Sequence, residues 1–315
     1  MLEKPIETPP VTIDYQKDQI PAYVRELIET HLAIEREEAQ QAGALGFMAR
    51  AMTIATLPHR DPKTDVFQRK NGNFVLRMLA GAPQGLPYGT KPRLLLSWVA
   101  TEAVRTKSRH LHLGDTLADF LRNLDLSRSG GRRGDITAVR DQMARTFGTT
   151  ISCSDTSEGK FEIKNIQLVE QGTILWDPQD PNNAGKWQTE LILTEKFFKE
   201  ICEAPVPVDL RVFKALKSSS MALDIYSWLT YRVSYLRRKA VIPWAALQGQ
   251  FGSGYAADDR GLRDFRRAFL RELQKVMLLY PQVKVDHNHE ALILHPSPTH
   301  ISRIKPITIQ HNLEF

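Results

Sequence analysis

Arg263, Arg267 and Arg271 recur at intervals of four. That spacing stacks three guanidinium groups along one side of an α-helix. A guanidinium fork binds phosphate oxygens, and in the major groove of duplex DNA it binds guanine O6 and N7 bidentately. Arg260, Arg266 and Lys275 flank the stripe, so residues 259–280 set six basic side chains against Asp259, Asp264 and Glu272. The same segment carries Leu262, Phe265, Phe269, Leu273, Val276 and Tyr280 at steps of three and four, the apolar face of a docked helix. A solvated arginine face on a purely structural helix is the plain alternative. The short helix and turn expected before it, and the hairpin expected after it, favour a groove reader.

Two further basic groups fit the same chemistry. Helix 135–147 (DITAVRDQMARTF) has Ile136, Val139, Met143 and Phe147 as its apolar stripe. Arg140 and Arg145 are expected to be exposed on it, offset by Asp135 and Asp141, with Arg132 and Arg133 in the preceding loop. This helix reads as a weaker module that holds DNA backbone, another protomer, or both. Arg237, Arg238 and Lys239 are expected to end a long helix, where they either complement its dipole or contact phosphate.

Catalytic patterns are sparse. GLPYGTK (85–91) lacks the Gly-Lys-Ser/Thr ending of a nucleotide phosphate loop. His110 and His112 flank Leu111 and would share one strand face, which is metal-ligand spacing; with Tyr231 or Tyr235 as nucleophile they would make a metal-dependent nickase. A three-residue pattern arises readily by chance, and the segment suits a short structural strand. His287 and His289 read as solvated turn residues. The expectation is no catalytic residue, no metal and no cofactor. Cys153 and Cys202 cannot supply a four-ligand zinc site and read as free thiols.

The elements that would position the arginines follow from periodicity and punctuation. The chain has 315 residues, 42% of them hydrophobic, and a formal charge of +6, a mild excess that becomes informative only where it clusters. Residues 1–16 are proline-rich and read as a flexible lead. Residues 20–41 read as an amphipathic helix docked on a neighbour. Helices are expected at 93–107, 115–124 and 135–147, with a short extended piece at 110–113 and strands at 149–153, 161–168, 173–176 and 187–193. Helix is expected again over most of 209–237, at 243–251 and to Leu279, followed by a hairpin of 283–285 and 291–294. Three helices and a small antiparallel sheet, occurring twice, is the order of a winged helix. The expected fold is therefore α+β: two tandem winged-helix (helix-turn-helix) domains, 61–193 and 194–315, after an N-terminal helical extension, 1–60. With no leader pattern and no apolar run near the roughly 18 residues of a membrane span, a soluble cytoplasmic protein is expected.

LPYGTKPRLLLSWVATEAVRTKSRHLHLGDTLADFLRNLDL (86–126) resembles the plasmid-encoded RepA initiator family, with its order PYG, PR, W, TEAVRT and LGD. PVDLRVFKALKSSSMALDIYSWLTYR (207–232) and IPWAALQGQFG (242–252) are similar to that family's second half. The resemblance implies a bacterial theta-type initiator that binds double-stranded origin DNA at repeated sites, iterons. It implies self-association between monomer and dimer, repression of its own promoter, and host partners such as the chromosomal initiator and the replicative helicase. It also implies that the C-terminal module dominates recognition, with 243–251 as positioning helix and 260–279 as reader.

Overall fold

The computed structural model describes residues 21–54, 56–127, 129, 134–155, 162–173 and 189–301. It is an α+β architecture of small sheets, and among the described residues every strand pairing is antiparallel.

Two stretches share one element order. In the first, α3 (Lys91–Thr106) is followed by β4 (His110–His112), α4 (Leu117–Asn123), α5 (Asp135–Phe147), β7 (Val169–Thr173) and β8 (Glu190–Leu193). In the second, α8 (Ser220–Tyr235) is followed by β10 (Ala240–Pro243), α9 (Trp244–Phe251), α10 (Asp259–Leu279), β11 (Val285–His287) and β12 (Ala291–Leu294). Both sheets have the same strand order: the strand after the first helix pairs with the last strand, which pairs with the one before it, giving β4-β8-β7 and β10-β12-β11. The pattern follows from alternation. Leu111 is buried between exposed His110 and His112, and Leu292 and Leu294 are buried on β12.

The first stretch carries an insertion. β5 (Thr150–Asp155) and β6 (Glu162–Gln167) lie between α5 and β7 and join β2 (Val66–Asn71) and β3 (Phe74–Leu79) in a separate sheet, β2-β3-β5-β6. Leu76 and Met78 on β3 are fully buried in it.

Several boundaries differ from the expected ones. The apolar stretch after residue 45 is β1 (Leu45–Met48) and α2 (Arg50–Ile54). β1 pairs with β9 (Val206–Asp209), Leu45 opposite Asp209 and Met48 opposite Val206, a strand absent from the expected elements. β2 has no apolar alternation to announce it. Helix α4 is capped by Thr116, whose hydroxyl accepts from the Asp119 N–H at 3.0 Å, so the helix begins later than expected. The helix expected over 209–237 is two, α7 (Leu210–Leu216) and α8, broken where Ser219 caps the second. Pro243 closes β10 and precedes α9 instead of opening that helix. β11 lies two residues later than expected, at 285–287.

The two stretches are fastened together by charge. Arg93, on the first turn of α3, donates from Nε and Nη2 to both oxygens of Asp224 on α8, each at 2.6 Å. The same guanidinium donates to the carbonyls of Leu57, Pro58 and Gly89. Burial raises the Asp224 carboxyl and Arg93 opposes that shift. A second fastening holds the end of α9. Arg69 Nη2 donates to the Phe251 carbonyl and Thr56 Oγ1 to that of Gln250, while Gln250 Nε2 reaches back to the Ile54 carbonyl at 2.8 Å. Carbonyls at a helix C-terminus need outside donors, and a cation there suits the dipole. Burial lowers Arg69 to about 10, opposed by Asp224 and reinforced by Arg93.

Helix α1 (Ala22–Arg36) docks as expected, against α7 and α10, and Arg211 donates to the carbonyls of Ala33 and Glu37. One hydrophobic core runs from Leu27 to Leu294. Among the described residues, no helix is long and apolar enough to cross a membrane.

Candidate nucleic-acid interface

Helix α10 begins where Asp258 accepts from the Gly261 N–H at 2.6 Å. A side chain at 261 would meet the Ala256 carbonyl oxygen at 2.0 Å, so glycine lets the preceding loop close onto the helix. Phe265, Phe269, Leu273, Val276 and Tyr280 are buried as the periodicity requires, and Leu262 is half-buried.

The opposite face is basic. Arg260, Arg263, Arg267 and Arg271 are all exposed. Arg267 pairs with Asp264 at 2.8 Å and Arg271 with Glu272 at 3.1 Å, yet their side chains remain 81% and 68% exposed. Arg260 and Arg263 hold no side-chain partner among the described residues. Exposed pairs one turn apart contribute little, so a phosphate competes easily for Arg267.

The other two cations on the helix are partly withdrawn. Arg266 donates to the His289 carbonyl at 3.2 Å and lies over the Trp244 ring, stitching the helix to the β11–β12 turn. Lys275 is bound to Glu272 at 2.9 Å. Glu272 itself is buried. Burial pushes its carboxyl up, but hydrogen bonds from Lys275, Ser219 and Arg271 prevail and hold it below the usual range. From its buried position it offsets Arg271 and Lys275, as the sequence count implies.

The first stretch is weaker than the sequence suggests. Arg140 is exposed on α5. Arg145 is not: its side chain is 12% exposed, its Nε pairs with Asp141 at 2.7 Å, its Nη1 donates to the Leu86 carbonyl, and its guanidinium lies over Tyr88. The expectation of an exposed Arg145 is corrected, because Asp141 one turn back draws it onto the 85–89 loop. That loop is a structural junction. Gly85 and Gly89 have φ of +95° and +76°, the Gly89 carbonyl accepts from Arg93, and the Tyr88 N–H donates to Gln142. Arg132 and Arg133 lie outside the described residues.

Arg237, Arg238 and Lys239 are exposed, but they follow α8 instead of closing it: the helix ends at Tyr235 and Leu236 is already extended. The dipole account of these residues falls away. Tyr231 and Tyr235 pack on each other, ring centroids 5.1 Å apart. His110 and His112 project from β4, the latter 3.9 Å from Asp115. Among the described residues no group of three or more His, Cys, Asp or Glu is placed to hold a metal ion. Cys153 and Cys202 are free thiols.

Sequence reasoning missed the Arg93–Asp224 pair, although both residues stand in motifs that carry the resemblance. Its one signal is an arginine and an aspartate each set within an apolar helix.

No curated protein matches the chain. Crystal structures of domains 2 and 3 of RctB are similar to it at 15% identity. One, a selenomethionine derivative, covers 76% of this chain and 95% of its own with a TM-score of 0.46. The other covers 78% and 95% with a TM-score of 0.44. The profile of the family described as plasmid-encoded RepA protein matches residues 86–245, from the 85–89 junction through α8 to the start of α9. This chain belongs to the plasmid-encoded RepA protein family.

Proposed function

We propose that the chain initiates plasmid replication by binding double-stranded origin DNA at iteron repeats. The observation that carries this reading is the exposed row Arg260, Arg263, Arg267 and Arg271 on one face of α10, beside the β11–β12 turn. Both stretches are winged helices in this reading, with α9 and α10 as the positioning and reading helices of the dominant module. Residues 1–60 form the extension, 61–193 the first module and 194–315 the second. The first module presents Arg140 alone among its described candidates, so it serves backbone contact or self-association. Acting without a cofactor or catalytic step, the bound protein represses its own promoter and recruits host replication proteins in the bacterial cytoplasm.

Binding of a labelled iteron duplex, followed by fluorescence anisotropy, tests the reading. A protein contacting about six phosphates should lose on the order of a thousandfold in affinity between 50 and 200 mM salt. Arg263→Ala should weaken the iteron more than a random duplex if Arg263 reads a base, and both alike if it holds phosphate. A flat salt response, or equal affinity of the wild type for both duplexes, rejects the reading.

A further inference from the structure

We propose that Tyr231 and Tyr235, with Arg232, Arg237, Arg238 and Lys239, form a second nucleic-acid surface, one that takes single-stranded DNA. It goes beyond the duplex reading and does not rest on it.

Charge is the first argument. Residues 225–257 contain four cations and no aspartate or glutamate, so no acidic neighbour in sequence neutralises the group. Arg237, Arg238 and Lys239 are exposed in the turn between α8 and β10. None of the three holds a side-chain partner among the described residues. The chemistry of such a cluster is to bind a polyanion.

Aromatic surface is the second. Tyr235 is 43% exposed, and Val241, on edge strand β10, is 58% exposed. Tyr231 meets the Tyr235 ring at 62°, so a base stacked on Tyr235 would abut the edge of Tyr231. Arg232 Nη1 donates to the Tyr235 hydroxyl at 2.6 Å and the guanidinium lies 5.3 Å from the ring centroid. That contact orients the ring before any ligand arrives. Tyr231, Arg232 and Tyr235 line a cavity of about 230 Å³ with Ile54, Trp228, Ile242 and Gln250. Exposed rings beside backbone-binding cations are the chemistry of single-strand recognition, because every base offers a π-face.

Position is the third. Ala240 pairs with Leu294, as does Val285, so the basic turn lies at one end of the β10-β12-β11 sheet. The β11–β12 turn that Arg266 grips lies at the other end, where Pro243 pairs with Ala291. A duplex on α10 and that turn therefore leaves the tyrosine end free to hold a separated strand.

The test uses the full chain and a fluorescein-labelled (dT)20 oligonucleotide at 50 mM salt. Tyr235→Ala should weaken (dT)20 binding roughly tenfold, and Tyr235→Phe much less, since stacking needs the ring and the hydroxyl only orients it. Replacing Arg237, Arg238 and Lys239 together with alanine should lower the salt slope by about 2, at about 0.7 per phosphate contact on a single strand. Circular dichroism confirms that these surface variants fold. Arg263→Ala separates the two readings: it should spare (dT)20 while weakening duplex binding. If wild-type protein does not bind (dT)20, or if Tyr235→Ala and the triple variant bind it as tightly as wild type, the assignment is overturned and the patch reverts to a protein contact.

Discussion

Replacing Arg93 with alanine should destabilise the chain by about 3–5 kcal/mol, the cost of leaving a buried charge without its partner. Arg93 and Asp224 are 2% and 8% exposed at their side chains, so water does not readily replace the lost fork. The Leu57 and Gly89 carbonyls would also lose the donor, whereas the Pro58 carbonyl keeps the Gly89 N–H at 3.1 Å. Typical total stability is about 5–15 kcal/mol, so the variant should unfold at markedly lower urea. The cleaner measurement is a double-mutant cycle with Asp224→Ala, read by circular dichroism in urea. With both members of the pair gone, neither is left facing an empty partner, and the double variant should be more stable than the summed single losses predict by about 2 kcal/mol or more. High salt should not mimic the effect, because a pair this buried is barely screened. Arg93→Ala within about 1 kcal/mol of wild type, or strict additivity in the cycle, refutes the argument that this pair fastens the two stretches.

Other expectations are more local. Arg145→Ala should lower the melting temperature, with a loss of about 1–3 kcal/mol from the cut ties to Asp141 and the Leu86 carbonyl, whereas Arg263→Ala should leave it unchanged; thermal melts of the two separate a structural arginine from a reader. Burial lowers His300 to about 4, with Asp209 opposing and Arg211 adding, so the folded state disfavours its proton. The stability this represents is full above about pH 6.5 and is lost as pH falls toward 4; by pH 5 the loss amounts to about 2 kcal/mol. His300→Gln should flatten that part of the stability profile, and an unchanged profile would count against the assignment. Tyr231→Phe and Tyr235→Phe should leave origin-dependent replication intact in a plasmid transformation assay, whereas loss of replication in a double variant that folds and binds iterons would point to a nucleophile.

Helix α10 was legible because amphipathic spacing writes both of its faces into consecutive residues: Phe265, Phe269 and Val276 on one, Arg263, Arg267 and Arg271 on the other. What stayed hidden was pairing over distance. Nothing local ties Arg93 to Asp224, or Leu45 to Asp209, and the strand Val206–Asp209 contains a proline, which argues against a strand. Arg145 misled because an aspartate four residues earlier reads equally as a charge offset or as a bond. β2 escaped because VFQRKN owes its strand to its hairpin partner β3 more than to its own composition.

The fastening between α3 and α8 has a mechanical consequence. Apolar surfaces torn apart in water stay mutually adhesive and attract other greasy surfaces, whereas a guanidinium and a carboxylate regain hydration once exposed. The contact of Arg93 with Asp224 and the carbonyl acceptors therefore fixes one closed geometry within a hydrophobic core that the two stretches share. Force that prises the first helices apart would expose that shared core together with the pair, so the apolar contacts resist separation while the charged pair specifies the register in which they close.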